Sequence, residues 1–390
     1  MPIRNRFSEL LGEITAWRRD LHEHPELMFD TFRTAEVVTD KLRGFGCDAV
    51  HTGIGRTGVV GVIHGRNTTS GKVIGLRADM DALPILEETD LPYASKTKGA
   101  MHACGHDGHT AMLLGAAQYL CETRNFDGTV VVIFQPAEEG GGGGREMCAD
   151  GLMDRFNISE VYGMHNWPGF PQGAFAIRSG PFFAATDTFE IEIIGKGGHA
   201  AKPNETVDPV VASAQIISSL QTIAARNADP IDQIVVSVTS VESSSKAFNV
   251  IPQMVTLRGT VRTMSAELRA LAEDRLNAIA ENIATAFGAT AHVDYQRGYP
   301  CMVNAAQETE YARAAAVRVA GKCADAPLVM GGEDFAYMLE ERPGAYLFMG
   351  QGPSAGLHHP EYNFNDSAAP YGASFFARLV ETANPAKAAK

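Results

Sequence analysis

The chain has 390 residues, enough for one large or two medium domains that bury a substantial core without disulfides. A formal net charge of −13, with no basic stripe carrying interleaved aromatics, argues against a nucleic-acid partner. The longest strongly apolar run, Val130 to Phe134, is far too short to span a bilayer, which argues against a membrane protein.

The six cysteines (Cys47, Cys104, Cys121, Cys148, Cys301, Cys323) are scattered with no Cys-x-x-Cys pair, so they do not form a disulfide framework. Met1 to Arg6 lead into an amphipathic pattern and not an apolar signal core, so the expectation is a cytoplasmic protein with reduced thiols. The acidic balance says little about substrate charge, because a few arginines and metal ions set the field near a site.

Phe7, Leu10, Leu11, Ile14, Trp17 and Leu21 recur at helical spacing and predict a first helix ending near His24-Pro25. His22, Glu23, His24 and Glu26 resemble a ligand set, but at a helix end ahead of a proline they read as packing. A second helix is predicted from about Thr31 to Arg43, closed by Gly44 and Gly46. Two strands follow, Thr57 to His64 and Lys72 to Arg77. The second delivers Asp79 and Asp81 at its carboxyl end, where open α/β sheets place their ligands. Asp79 reads equally well as a turn or capping aspartate; for Asp81 the functional reading is preferred.

Met101 to Thr110 then packs five potential ligands or acids into ten residues. Cys104 and His106 are expected to alternate on an extended segment, with Gly105 and Gly108 letting the backbone bend around an ion. A thiolate with an imidazole suits a borderline-soft divalent ion such as zinc, or nickel, cobalt or manganese. Isolated Cys and His residues are commonly buried and inert, so the cluster needs support from the rest of the chain.

That support comes from the following strands. After a helix from about Thr110 to Glu122, the buried strand Gly128 to Gln135 delivers Glu138 and Glu139. Five glycines, 140 to 144, come next; they lack the phosphate-loop pattern and would let the backbone pass close to a crowded site. Glu138 and Glu139 there look like a working pair, one a ligand and one a base. Val161 to Trp167 repeats the arrangement and presents His165. Strands that end in Asp, Glu and His, beside the Cys-His cluster, point to a dinuclear metal site.

After about Gly180 the pattern becomes strand, helix, strand, strand, helix, strand (Thr188 to Ile194, Asp208 to Ala225, Gln233 to Val241, Gln253 to Thr263, Ala266 to Phe287, Thr290 to Tyr295), the order of a ferredoxin-like unit. It carries His199 on a glycine loop and reads as an inserted lid. The chain then returns to its first character: a helix from about Ala306 to Ala320, Glu333 and Asp334 on a turn, a strand from Ala345 to Met349, His358-His359-Pro360, a last helix from about Pro370 and an Ala/Lys tail. The expected architecture is a mixed-sheet α/β catalytic domain, 1–180 plus 296–390, with an α+β lid and dimerisation domain, 181–295, inserted.

The set Asp79-x-Asp81-x-x-Pro84, His102-Ala103-Cys104-Gly105-His106-Asp107, Glu138-Glu139-Gly140, Gly163-Met164-His165, Gly331-Gly332-Glu333-Asp334-Phe335 and His358-x-Pro360 resembles the metal-dependent aminoacylase/carboxypeptidase family, above all its hippurate hydrolase and indole-acetyl-amino-acid hydrolase branch. The resemblance covers nearly the whole chain in order. It implies two divalent ions (zinc, manganese, cobalt or nickel) bridged by Cys104 and completed by His106, Glu139, His165 and His358. Glu138 would be the general base toward a water between the ions, and Asp81 would orient a ligand. Peptidase branches have His where Asp79 stands and Asp where Cys104 stands, which leaves a metal role for Asp79 open; His359 fits the spacing less well than His358.

In the lid, the resemblance implies that His199 reaches the active site of a neighbouring subunit, stabilising the oxyanion, and that Asn249 and Arg262 contact the substrate's carboxylate. The chain would then be an N-acyl-amino-acid amidohydrolase acting as a homodimer or higher oligomer, with hinges near 180 and 295. A dipeptidase or carboxypeptidase using the same site, or a catalytically silent metal-binding protein, are the alternatives.

Overall fold

The computed structural model describes residues 2–386; residues 1 and 387–390, and with them the opening methionine and most of the Ala/Lys tail, lie outside the described residues. The chain divides into two compact units, one of 1–180, 303–327 and 334–390, the other of 181–302 and 328–333. In chain order the first unit begins with α1 (Pro2–Glu23), α2 (Phe32–Phe45), β1 (Ala49–Ile54), β2 (Gly58–His64), β3 (Val73–Asp79), α3 (His106–Thr123) and β4 (Thr129–Gln135). It continues with α4 (Gly143–Ala149), α5 (Leu152–Arg155), β5 (Glu160–Trp167) and β6 (Phe175–Ile177). After β7 (Gly180–Phe183) come β8 (Ala185–Ile194), β9 (Gly198–His199), α6 (Pro209–Leu220), β10 (Ile234–Ser243), β11 (Val250–Ile251), β12 (Met254–Thr263), α7 (Ala266–Ala286) and β13 (Thr290–Arg297). The chain closes with β14 (Met302–Asn304), α8 (Ala306–Ala320), β15 (Cys323–Asp325), α9 (Ala336–Glu341), β16 (Gly344–Gly350) and α10 (Ala369–Ala383).

The first unit is built on an eight-stranded mixed sheet in the order β1-β2-β4-β3-β5-β16-β6-β15. β4 and β16 are unbroken apolar runs because both of their faces are covered; every residue of β16, and every residue of β4 after the first, is buried. α3 packs against α1, α2 and α10, and its apolar side joins Phe7, Leu10, Ile14, Leu42 and Phe376 in one core. β3 lies parallel to both β4 and β5, with Asp79 opposite Gln135 and Arg77 opposite Gly163. The carboxyl ends of these three neighbours therefore share one edge of the sheet. Just beyond β3 and β4 lie Asp81 and Glu138, and His165 is two residues before the end of β5.

The second unit is an antiparallel sheet in the order β10-β12-β8-β13. β8 alternates buried and less buried residues, so one face packs on helices: Phe189, Ile191 and Ile193 meet Ala212, Ile216 and Leu220 of α6 and Ala272, Leu276 and Ala280 of α7. The order is that of a ferredoxin-like unit. Its limits run past the expected 181–295. Buried Asp187 accepts hydrogen bonds from Arg269 Nε (3.0 Å), the Tyr295 hydroxyl (2.8 Å) and the Gly298 N–H (3.1 Å), tying down the chain after β13. Ala184 and Val329 exchange backbone bonds with 328–333 and 182–184, which recruits that later segment.

Other elements depart from expectation in smaller ways. α6 stops at Leu220 and is followed by a wider helical turn, Ile223–Asn227. β1, β6, β15 and the short helices α4, α5 and α9 were not apparent in the sequence because each is too brief to show a period. No helix among the described residues is long and apolar enough to cross a membrane.

Candidate metal centre

The segment leading into α3, the turn after β4, the end of β5 and the loop that carries His358 bring donor atoms together. Cys104, His106 and His165 offer ligand atoms within 4.8 Å of one another; so do Cys104, Glu139 and His358, and so do His106, Glu138 and Glu139. Cys104 belongs to two of these sets, His106 to two and Glu139 to two. The expected extended alternation of Cys104 and His106 is not what the chain adopts. Gly105 stands between them in the left-handed region (φ 90°) and His106 opens α3. A Cβ at Gly105 would lie 2.4 Å from both Asn166 Nδ2 and the Tyr362 hydroxyl, so only glycine makes this corner.

The hydrogen bonds of the two buried histidines fix the tautomer of each neutral ring. His106 Nδ1 donates to the backbone oxygen of Asp81 (2.9 Å) and His165 Nδ1 to that of Asn166 (2.6 Å). A carbonyl can only accept, so in the neutral ring Nδ1 carries the proton and Nε2 is left with its lone pair. His106 Nε2 has no hydrogen-bond partner there, and His165 Nε2 lies 3.4 Å from Cys104 Sγ. His358 sits on a left-handed residue (φ 64°), its N–H donates to Ala103 O (2.8 Å), and its Nε2 lies 3.2 Å from Glu139 Oε1. His359 instead turns back to its own loop, its Nδ1 accepting from the Glu361 N–H (3.1 Å).

The electrostatics describe a pocket made for a cation. Burial holds His165 neutral, well below the usual histidine range, the state in which an imidazole can bind a metal. Burial also opposes charge on His106, but Asp79 and Cys104 outweigh it and drive its pKa well above normal. His358 is pushed up to about 10 by hydrogen bonding to Cys104 and Glu139. Burial pushes the Cys104 thiol up, with His106 pulling the other way, while His358 and His106 bring Glu139 below the usual carboxylate range against its burial. One thiolate, three imidazoles and carboxylates, with an orphaned buried Nε2 among them, fit a borderline-soft divalent ion.

Supporting groups hold these donors in place. The two carboxylate oxygens of Asp81 each accept one backbone N–H, from Glu138 and Glu139 (3.0 Å each), while its own carbonyl orients His106. The strand end thus turns sharply, with Ala137 at φ 52°, to present both glutamates. Asp79 is fully buried with each oxygen occupied: Oδ2 accepts from Arg77 (2.7 Å) and Oδ1 from His109 Nδ1 (2.6 Å). His109 Nε2 in turn accepts the Asn166 N–H (3.0 Å). Asp79 with His106 and His109 forms a further close donor set, but these bonds make Asp79 and His109 struts. Asp334 is a strut too: it accepts from Arg77, from Gln135 Nε2 (2.8 Å) and from the Gly144 N–H (2.8 Å) at the end of the glycine run.

Asn166, next to His165, was not singled out by sequence reasoning. Its Nδ2 donates to Cys104 O (2.7 Å), and its Oδ1 accepts from the Tyr362 hydroxyl (2.6 Å). Adjacency to a strand-end histidine was the only signal for it, and for Tyr362 there was none. Asn166→Ala is expected to weaken metal binding about 10- to 100-fold with the fold intact, measured by titrating metal into stripped protein.

Among the described residues, His102 and Asp107 contribute to no donor set. Burial lowers His102 to about 4, and neither ring nitrogen has a hydrogen-bond partner. Asp107 accepts from His22 Nδ1 (2.8 Å), whose Nε2 lies 3.3 Å from Glu87. The helix-end histidine read as packing is therefore a buried ion-pair partner. Burial opposes its charge, yet hydrogen bonds to Asp107 and Glu87 raise its pKa to about 9. A raised folded-state pKa stabilises fully below the unfolded value of about 6.5 and is lost as pH climbs to about 9. Unfolding measured across that window is expected to show a loss of up to about 3 kcal/mol that His22→Gln abolishes.

In the second unit, His199 on β9 pairs with Val250 of β11, and the Ala200 N–H bonds to Asn249 O (3.0 Å), so His199 and Asn249 are neighbours. His199 is exposed, its Nδ1 accepting from the Ala201 N–H (3.1 Å). Arg262 on β12 donates to Thr260 Oγ1 and to Val261 O (3.1 Å), and burial lowers its pKa.

The family model for peptidase family M20/M25/M40 matches residues 75–382. An N-acetylcysteine deacetylase of Bacillus subtilis (strain 168) is 41% identical over 93% of this chain and 94% of its own length. A hippurate hydrolase of Campylobacter jejuni is 41% identical over 95% of this chain and 97% of its own. Among solved structures, a Bacillus subtilis protein described as a dinuclear metal binding peptidase from the M20 family aligns with a TM-score of 0.85 and 37% identity, covering 96% of this chain and 99% of that one.

Proposed function

The chain belongs to peptidase family M20/M25/M40, and from that we propose that it hydrolyses the amide bond of N-acyl amino acids, releasing a carboxylic acid and a free amino acid. The observation that carries this reading is the overlap of the donor sets: Cys104 is common to one set with His106 and His165 and another with Glu139 and His358, and Glu138 stands beside them as an extra carboxylate. A single structural ion has no use for so many shared donors, nor for an acid beyond its ligands.

In this reading Cys104, with His106, His165, Glu139 and His358, would hold two divalent ions. Such ions, when bound, supply Lewis acidity toward the carbonyl and lower the pKa of water. Glu138 accepts the proton of the attacking water and returns it to the departing nitrogen. Asp81 keeps both glutamates in place by holding their backbone N–H groups. His199 donates to the developing oxyanion from a neighbouring subunit, and Asn249 and Arg262 hold the substrate's carboxylate. Support for a homodimer formed through the second unit is its apolar exposure: Val210 and Val211 on α6 and Val235 and Val241 on the edge strand β10 are uncovered. We place the protein in the cytoplasm, in keeping with six free cysteines.

The rival reading, a dipeptidase or carboxypeptidase, is favoured by the peptidase description of the structural relative. The test is amino-acid release from N-acetyl, N-benzoyl and indole-acetyl amino acids beside dipeptides, using metal-stripped protein with zinc, manganese, cobalt or nickel restored. The proposal expects turnover of N-acyl amino acids only after metal is restored. Cleavage confined to dipeptides would establish the rival, and no turnover despite two bound ions would leave a silent metal binder. A strictly monomeric preparation with full activity would overturn the role given to His199.

A further inference from the structure

Far from the donor sets, two free thiols meet. Cys47 follows the left-handed Gly46 that ends α2, Cys121 lies on the last turn of α3, and their sulfurs are 3.6 Å apart although 74 residues separate them in the chain. Arg124, just past the end of α3, holds the two segments in register. Its guanidinium donates to Gly46 O (3.0 Å), to Asp48 Oδ2 (2.7 Å) and to His64 O (2.8 Å), so the residues on either side of Cys47 are pinned one turn from Cys121.

We propose that Cys47 and Cys121 are a redox-sensitive pair that closes reversibly to an intramolecular disulfide when the protein meets a peroxide. Closure requires the sulfurs to approach from 3.6 Å to about 2.05 Å. Of the two, Cys47 is the attacking group. It is half-buried and not sealed, and the hydrogen bond from Cys121 favours its thiolate, aided by Arg124, against burial and Asp48. Cys121 is held as the thiol, chiefly by that same bond. Burial keeps Cys148, Cys301 and Cys323 protonated as well, with Cys301 and Cys323 pushed up to about 11.

In the first step the Cys47 thiolate attacks one peroxide oxygen, the O–O bond breaks, and hydroxide leaves to be protonated as water. Cys47 is then a sulfenic acid. In the second, the Cys121 sulfur attacks that sulfur, the S–O bond breaks, and the departing hydroxide takes the Cys121 proton. Two thiols are oxidised by two electrons and one peroxide becomes two waters. The bond would tie the start of β1 to the end of α3, about 22 Å along the helix from His106, so it acts on stability and not on the donor sets.

The experiment treats metal-loaded protein with one to a few equivalents of hydrogen peroxide, then counts thiols under denaturing conditions and maps non-reduced peptides by mass spectrometry. The expected result is a fall from six thiols to four, one cross-linked peptide joining Cys47 to Cys121, full reversal by dithiothreitol and an unfolding temperature raised by several degrees while oxidised. Cys121→Ser should stop at a Cys47 sulfenic acid that dimedone traps, and Cys47→Ser should lose no thiol pair. Persistence of six thiols, a different cross-link, or an undiminished loss of two thiols in Cys47→Ser would each overturn the proposal.

Discussion

Glu138→Gln is expected to lower amide hydrolysis by about 10²- to 10⁴-fold, or about 3 to 5.5 kcal/mol of barrier, with metal content unchanged. The substitution is nearly isosteric, so the N–H groups of residues 138 and 139 still bond to the Asp81 carboxylate and the loop keeps its shape. What disappears is the ability to take a proton from the attacking water and deliver it to the leaving nitrogen. Metal analysis alongside rates of amino-acid release separates this from loss of a ligand. A variant that loses an ion together with its activity would show that Glu138 is a ligand. A variant that keeps both full metal and full rate would require another base.

Arg77→Met should destabilise the first unit by about 3 to 5 kcal/mol, seen as a lower denaturant midpoint with an unchanged slope. Arg77 is 1% exposed in the middle of β3. It donates to Gln135 Oε1 (2.9 Å), Asp79 Oδ2 (2.7 Å) and Asp334 Oδ1 (3.0 Å). Removing it strands two buried carboxylates, a larger penalty than the lost attraction. Adding Asp79→Asn and Asp334→Asn should therefore recover part of the loss, because the burden is uncompensated charge and not missing volume. Equal loss in the single and triple variants would mean that packing, not charge, dominates. Asp79 also holds His109, so the arginine reaches the donor pocket through a chain of bonded groups.

The candidate donors could be read in the linear chain because candidacy depends on residue type at strand ends. Apolar runs mark buried strands, and residues at or just past their carboxyl ends fall at one end of the sheet, so Asp81, Glu138, Glu139 and, near the end of the short strand β5, His165 could be singled out before their neighbours were known. Helical and strand periods likewise disclosed the ferredoxin-like unit, whose elements are long enough to show them.

The identity of the supporting residues was decided only in three dimensions. Arg77 and Asp334 are 257 positions apart, and Tyr362 and Asn166 are 196 apart, and neither pair has a local pattern. A buried charge or amide reveals its role only through its partner, and which partner it meets follows from strand order, here β3 between β4 and β5 with β16 beyond. The same holds for the corner at Gly105: the alternation of Cys104 and His106 suggested an extended segment, but the packing of Asn166 and Tyr362 against that glycine turned it into the start of a helix. Sequence alone determined which side chains could do chemistry here; tertiary structure decided which of them meet in donor sets and which bond to one another as supports, because that division depends on hydrogen bonds between residues far apart in the chain.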